Sequence, residues 1–218
     1  MSELRGLVHV HTWHSFDSFL PPAAYVAYAR RARLDFLCVT DHNTLAGSRD
    51  VARRNRDPGL EVVIGAEYAT DRGDLIGLFL REEVRSRLFE EAAAEIHAQG
   101  GLALLPHPYR GRVTHPSRYA SVDLVEAFNA RSSDGSNDAA HADAERLSKP
   151  ATAGADIHTA WELLRGGTLV ELGGEGPLRE RLLGAPRRLL TRPSHRNLRR
   201  YSQLVKRVRS RVGFDGHR

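Results

Sequence analysis

LRGLVHVH, residues 4–11, is the stretch that decides the fold: an apolar run that ends in two histidines separated by one residue. In a β-strand, residues i and i+2 point to the same face, so the imidazoles of His9 and His11 can reach one metal ion. One such pair is a weak signal in a chain with 11 histidines. Its weight comes from the return of the same arrangement further along the chain.

Potential metal ligands follow four more apolar runs at the point where each run ends. So many buried imidazoles and carboxylates would be costly unless metal ions or pairing compensated them. The set offers only nitrogen and oxygen ligands, which suits Zn²⁺, Mn²⁺ or Fe²⁺. Asp41 and His42 follow residues 36–40, Glu67 follows 60–66, His107 follows 102–106, Asp156 and His158 follow 151–155, and Asp17 lies shortly after the first run.

The apolar runs alternate with segments that have helical patterns. This alternation predicts parallel strands covered by helices, in a closed barrel or an open doubly wound sheet. A barrel is favoured, because no Gly-rich phosphate loop follows the first strand. The carboxyl ends of barrel strands meet at one face, where barrel active sites lie. The predicted strands are 4–10, 36–40, 60–66, 75–80, 102–105, 124–128, 151–155 and 168–172, and the predicted helices are 22–33, 46–56, 84–99 and 137–148.

Charge is distributed unevenly along the chain. Residues 1–176 carry a net charge of −6, whereas residues 177–218 carry +11. We therefore predict a barrel domain over 1–176 and a basic helical extension over 177–218, with a final helix near 194–212 packed on the barrel. The favoured interpretation of the positive charge is a solvated helix face. The alternative is a patch that attracts nucleic acid or an anionic membrane surface.

The composition excludes several classes of protein. Cys38 is the only cysteine, which excludes disulfides and Cys-rich zinc modules. No apolar run is long enough to cross a bilayer. The first residues lack the pattern of a signal peptide, so we expect a cytoplasmic enzyme.

Taken together, the motifs resemble those of the PHP (polymerase and histidinol phosphatase) superfamily. The matching segments are HVHT at 9–12 with Ser15 and Asp17, VTDHN at 39–43, GAE at 65–67, LPHP at 105–108 and GADIH at 154–158. The resemblance implies an α/β fold, a distorted (β/α)₇ barrel with its metal site at the C-terminal ends of the strands. It also implies phosphoester hydrolysis by a metal-bound hydroxide.

The resemblance further implies roles for individual residues. Asp41 would orient a ligand imidazole through its other ring nitrogen. Two departures from the family pattern, Asp74 in place of a histidine and Asn129 in place of a histidine or cysteine, leave open whether two or three ions bind. One ion would be held by His9, His11, Glu67 and Asp156, another by Asp17, His42 and His158, and a further one by His107 with Glu67 as a bridge; Glu67, Asp156 and His158 are the expected catalytic residues.

We therefore predict a metal-dependent phosphoesterase with two or three divalent ions (Mn²⁺, Zn²⁺ or Fe²⁺) that acts on small phosphorylated substrates, phosphomonoesters being favoured. Arg110 and Arg131 follow strand ends and are candidate phosphate-binding residues. One alternative is a phosphodiesterase or nuclease that recruits nucleic acid through the basic tail. Another is a non-catalytic, metal-binding scaffold module. No motif names the substrate or the oligomeric state.

Overall fold

The computed structural model describes residues 3–110 and 115–211. Its strands are β1 (Leu4–Val10), β2 (Phe36–Val39), β3 (Glu61–Thr70), β4 (Gly73–Leu78), β5 (Leu102–Leu105), β6 (Leu124–Asn129), β7 (Ala151–Ile157), β8 (Leu169–Leu172) and β9 (Arg187–Leu190). Its α-helices are α1 (Pro22–Ala32), α2 (Ala46–Arg54), α3 (Phe89–Ala98), α4 (Asp134–Arg146), α5 (Ala160–Leu164), α6 (Leu178–Gly184) and α7 (Arg196–Arg211), and a short 3₁₀ helix covers Pro116–Ser121.

Strands β1 to β7 follow one another around a closed barrel, because β1 pairs in parallel with both β2 and β7. This confirms the predicted α/β class and the distorted (β/α)₇ barrel. The expectation of parallel strands is wrong for β4, which runs antiparallel to both β3 and β5. The reason is local: only Asp71 and Arg72 separate β3 from β4, and so short a connection permits a hairpin but no crossover.

The last two strands lie outside the closed barrel. Strand β8 pairs antiparallel with the first residues of β1, and β9 pairs antiparallel with β8. Strand β9 was not predicted, because it begins with two arginines and its residues are only partly buried. The region after residue 177 therefore contains a strand as well as helices, and its status as a separate domain stays a prediction.

The barrel is packed on both sides of its wall. Along β2, Leu37 and Val39 pack with residues of the surrounding helices α1 and α2, whereas Phe36 and Cys38 pack with residues of the other strands. The period of two in the strand thus sends alternate side chains to the two layers. All four side chains are fully buried, as expected for a strand in a parallel sheet covered by helices.

The helix predicted over 84–99 begins later than expected, at Phe89. The backbone N–H groups that would start it are bound elsewhere: Arg85 and Ser86 donate to Glu95, and Val84 donates to the hydroxyl of Tyr68. Among the residues that the structure describes, no helix combines the length and apolar character needed to cross a bilayer.

Candidate metal centre

The predicted ligands meet at one mouth of the barrel, around the buried carboxylate of Glu67. Its Oε2 lies 3.2 Å from Nε2 of His9 and 3.4 Å from Nε2 of His11. The same oxygen lies 3.3 Å from Nδ1 of His42, while Oε1 lies 2.9 Å from Nε2 of His107. Four imidazoles from three strand ends, those of β1, β2 and β5, therefore surround one carboxylate.

A second carboxylate, Asp17, gathers another part of the site. Its Oδ2 lies 3.3 Å from Nε2 of His42 and 2.9 Å from Nε2 of His158. Asp156 connects the two parts, because its Oδ1 lies 3.7 Å from Nε2 of His11 and 3.3 Å from Nδ1 of His158. All eight predicted ligands thus lie in one continuous cluster.

Asp74 joins this cluster although it was not among the predicted ligands. It lies in the β4 strand, and its Oδ2 is 3.9 Å from Nε2 of His107. Four groups of side chains could each hold a metal ion. Within a group every residue offers one ligand atom, and these atoms lie within 4.8 Å of one another. They are His11, Asp17, His42 and His158; His9, His11 and Glu67; His9, His107 and Asp156; and Glu67, Asp74 and His107.

Three of these residues have an unusual backbone conformation. The φ angles of His9, His107 and Asp156 are 65°, 28° and 48°, in the left-handed region that non-glycine residues seldom adopt. The register of β1 against both neighbours shifts close to His9. Such strain persists only where the surrounding structure holds it, and it clusters at functional sites. The simple alternation used for the prediction contained no sign of it.

Glu126 is a site residue that the sequence reasoning missed. Its Oε1 lies 2.6 Å from Nδ1 of His9, and its Oε2 accepts hydrogen bonds from the backbone N–H of His107 and from Asn129. A Cβ on Gly154 would come within 2.1 Å of this carboxylate, so only glycine leaves it room. A charged residue inside the otherwise apolar LVEAFN strand is the signal that could have revealed it.

Asp41 does not have the predicted role. Its two carboxylate oxygens accept hydrogen bonds from the backbone N–H and the hydroxyl of Thr12, at 2.6 and 2.7 Å. Because Asp41 directly precedes His42, the two side chains leave the extended backbone on opposite sides. Asp41 therefore fixes the loop after β1, and the carboxylate that binds a ligand imidazole through its other nitrogen is Glu126.

The electrostatics of the cluster follow from burial and from the mixture of charges. Burial alone would lower the pKa of His9, but Glu126 and Glu67 raise it well above its ordinary value. Burial alone would also lower the pKa of His42. The Asp17 and Glu67 carboxylates outweigh this effect and raise that pKa to about 9. Burial and the neighbouring histidines hold the pKa of His11 well below its usual range.

Two central carboxylates of the cluster, Glu67 and Asp156, remain ionised at neutral pH. Burial alone would raise the pKa of Glu67, but His9 and His42 lower it well below the ordinary value. Burial alone would also raise the pKa of Asp156, but Arg110 and His9 lower it well below its usual range. These carboxylates are ready to bind cations.

The donor set fits divalent metal ions. Nε2 of His11 is buried and points into the cluster, and it has no hydrogen-bond partner among the described residues. Its opposite ring nitrogen is 3.3 Å from the hydroxyl of Ser15, which leaves Nε2 available as a ligand. Nitrogen and carboxylate oxygen at these separations are the ligands of Zn²⁺, Mn²⁺ and Fe²⁺ sites.

The two candidate phosphate-binding arginines differ in their surroundings. Nη2 of Arg110 donates to Asp156 and to Asn129, each at 2.6 Å, so this guanidinium touches the cluster directly. Nη2 of Arg131 donates instead to the backbone carbonyl of Leu198 and the hydroxyl of Ser202, both in α7. Arg131 therefore holds α7, and its contact with substrate stays a prediction.

A cavity of about 450 Å³ opens beside the cluster. This volume is in the range of small-molecule sites. Its walls come from the cluster, from the two arginines and from α7. They include Phe16, Asp17, His42, Asn43, Ala69, Asp74, Arg110, Arg131, Ser202, Gln203 and Lys206.

Several known proteins are similar to this chain in sequence or in fold. An uncharacterized protein from Methanocaldococcus jannaschii is 37% identical over 146 residues, which are 61% of this chain and 85% of that protein. A solved two-domain protein from Bacteroides vulgatus, described as containing a predicted PHP-like metal-dependent phosphoesterase, shares the fold with a TM-score of 0.67 and 18% identity, over 78% of this chain and 58% of that one.

A second similar structure is Endonuclease Q in complex with a 27-mer duplex that has an abasic lesion at the active site. It has a TM-score of 0.57 and 15% identity, over 83% of this chain and 56% of that one. The chain thus spans little more than half of each of these two solved proteins. The model of the PHP domain family matches residues 8–149, more than half of the sequence. This chain therefore belongs to the PHP domain family.

Proposed function

We propose that this protein is a metal-dependent phosphoesterase that hydrolyses small phosphomonoesters. The observation that carries the proposal is the cluster of imidazoles and carboxylates around Glu67, which opens into a cavity of about 450 Å³ beside Arg110. Membership of the PHP family and the phosphoesterase named in the similar Bacteroides vulgatus structure support the reaction class. The predicted cytoplasmic location is part of the same proposal.

We propose that two or three divalent ions occupy the cluster. When bound, such ions lower the pKa of water, stabilise charge on phosphoryl oxygens and orient the substrate. Asp74 adds a third ligand, a carboxylate oxygen, beside Glu67 and His107, which favours three ions over two. His9, His11 and Glu67, joined by the nearby Asp156, would hold the first, Asp17, His42 and His158 the second, and Glu67, Asp74 and His107 the third.

Several side chains of this chain prepare the site for that chemistry. Nδ1 of His158 lies 3.0 Å from the carbonyl oxygen of Asp156 and donates to it, so Nε2 is left as the acceptor nitrogen. Glu126 holds His9 in the same way. Glu67, Asp156 and His158 lie where the ligand groups adjoin, which is why we propose them as catalytic residues.

Arg110 is the proposed phosphate-binding residue. Its guanidinium is partly exposed to the cavity and donates to Asp156 inside the cluster. A guanidinium presents parallel N–H groups that match the oxygens of a phosphate. It would therefore hold the phosphoryl group next to the carboxylates that bind metal.

The experiment that tests the proposal is hydrolysis of a panel of phosphomonoesters and phosphodiesters with added Mn²⁺. We expect turnover of at least one monoester, and its loss after chelator treatment and in His42→Ala. Glu145→Gln, on the exposed face of α4, is the matched control and should keep full activity. Full occupancy by metal without turnover of any ester would favour the non-catalytic scaffold.

A nuclease is the second candidate function, and two observations favour it. Endonuclease Q has a similar fold, and α7 is rich in arginine. A nuclease should bind oligonucleotides with an affinity that falls steeply with salt, because each phosphate contact releases counterions. Hydrolysis of oligonucleotides in preference to monoesters would select this function over the first.

A further inference from the structure

Helix α7 lies against the mouth of the barrel and is fixed to the loop that carries Asp17. Nη1 of Arg209 donates to the backbone carbonyls of Ser15 and Ser18, at 2.9 and 2.6 Å. Arg209 is buried, so these are hydrogen bonds from a charged donor in a protected environment. One part of α7 is therefore held beside the second proposed metal group.

Another part of α7 is fixed to the loop after β6. Arg131 donates to Leu198 and Ser202 of the helix, and Val205 is buried between the two attachment points. Residues 198, 202, 205 and 209 follow helical spacing and define the inner face of α7. The neighbouring side of the helix is then turned towards the cavity, where Ser202, Gln203 and Lys206 form part of the wall.

Lys206 is the notable residue of this wall. It is one of two lysines in a chain with 30 arginines. Its Nζ lies 4.5 Å from the centre of the Phe16 ring, and that ring stacks on His42 with a centre-to-centre distance of 4.6 Å. Among the described residues, no carboxylate lies within ion-pair distance of this exposed ammonium. Phe16 thus contacts both this positive charge and the ring of a proposed metal ligand, His42.

We propose that Lys206 is a substrate-binding residue that selects phosphomonoesters over phosphodiesters. The inference rests on the proposed function and deepens it. Lys206 lies beyond residues 8–149, which the family model matches, so the family pattern assigns it no role. Its position in the cavity wall, the rigid attachment of α7 and its lack of a carboxylate partner among the described residues support the assignment.

Charge explains the selection. A phosphomonoester carries nearly two negative charges at neutral pH, because its second pKa is about 6. A diester carries only one negative charge. Arg110 and Lys206 approach from different walls and together complement the dianion better than the monoanion.

The test compares p-nitrophenyl phosphate with bis(p-nitrophenyl) phosphate as substrates of the Mn²⁺-loaded 218-residue chain. In Lys206→Gln we expect KM for the monoester to rise about tenfold, the loss typical of one hydrogen bond to a charged group. We expect kcat for the monoester, and both constants for the diester, to change less than about threefold, since the lost bond binds the dianion rather than the reacting atoms. Lys206→Arg should recover most of the loss. Arg200→Gln, which removes one charge from the exposed side of α7, should behave as wild type.

Affinity for inorganic phosphate, measured by calorimetry, separates this inference from the proposed function. Lys206→Gln should weaken phosphate binding about tenfold whether or not the protein turns over an ester. One outcome is that wild type hydrolyses the monoester while Lys206→Gln keeps the wild-type preference for the monoester over the diester and the wild-type affinity for phosphate. In that case the proposed role of Lys206 is wrong, but the proposed phosphoesterase function is supported. If wild type hydrolyses nothing, the phosphoesterase is wrong, and an unchanged phosphate affinity in the variant would reject Lys206 as well.

Discussion

Glu67 is the residue on which the site depends most, because four imidazoles from three strand ends approach its two oxygens. A buried carboxylate is costly unless positive charge and hydrogen bonds surround it. The raised pKa values of His9 and His42 favour protonated imidazoles around this carboxylate when metal is absent. Bound metal ions would supply the same charge, so protons and metals compete for one cluster.

That competition predicts proton release on metal binding. At pH 7 His42 is protonated without metal, since its pKa is raised to about 9, and the carboxylates around His9 raise the pKa of that imidazole too, whereas a ligand imidazole must be neutral. Glu67 and Asp156 are already ionised and release none. Affinity for Mn²⁺ should therefore rise with pH up to about 9. Calorimetric titrations with Mn²⁺ in two buffers of different ionisation enthalpy should give different heats of binding. Equal heats in the two buffers would contradict this account.

Replacement of Glu126 should weaken metal binding without unfolding the protein. Glu126→Gln removes the carboxylate that holds Nδ1 of His9, and the loss of such a partner costs roughly 10–100-fold in metal affinity. Mn²⁺ affinity and the melting temperature of the metal-free variant would be measured together, with Glu145→Gln as the control. A folded Glu126→Gln protein with wild-type affinity would show that this contact does not matter.

The sequence allowed the ligand positions to be predicted at the residue scale, but not their supporting contacts. The ends of apolar runs identified eight residues that the structure brings together. The role of Glu126 was not predicted, because this residue lies within a strand rather than after one and its partner His9 is far away in sequence. The left-handed φ angles of His9, His107 and Asp156 were not predicted either, since they depend on neighbouring strands rather than on local propensity.

At the scale of single elements, the strand and helix patterns were reliable where the periodicity was strong. Strand β1 has the predicted bounds, and α2 begins at the predicted residue. The start of α3 was wrong because side chains bind the N–H groups of residues 84–86, a long-range effect. Strand β4 was predicted as a strand, but its direction depends on the short turn before it.

Helix α7 provides the prediction for this scale. Arg209→Gln removes the hydrogen bonds to Ser15 and Ser18, which flank Asp17. We expect the group of Asp17, His42 and His158 to lose affinity by about tenfold or more, because each bond from a charged donor contributes roughly 1.5–3 kcal/mol. The other groups should bind as before, so the stoichiometry of tightly bound Mn²⁺ should fall by one. Arg200→Gln serves as the control. An unchanged number of tightly bound Mn²⁺ ions in Arg209→Gln would show that α7 does not support the candidate metal centre.

At the scale of the whole molecule, alternation of strands and helices predicted the barrel, but its closure could not be read from local patterns. Closure depends on β1, which pairs with both β2 and β7, the latter nearly 150 residues away. The same closure brings Asp156 and His158 next to His11 and Asp17. The metal centre is thus a product of the complete barrel, and no single segment contains it.

The most direct test of a metal-dependent phosphoesterase is a titration of chelator-treated protein with Mn²⁺ that follows bound metal and the initial rate of p-nitrophenyl phosphate hydrolysis together. Wild type should have no rate without metal and should gain it as two or three ions bind per chain. Glu67→Gln should bind fewer ions and stay inactive. A full rate without metal, or two or more bound ions without hydrolysis of any phosphomonoester, would contradict the account.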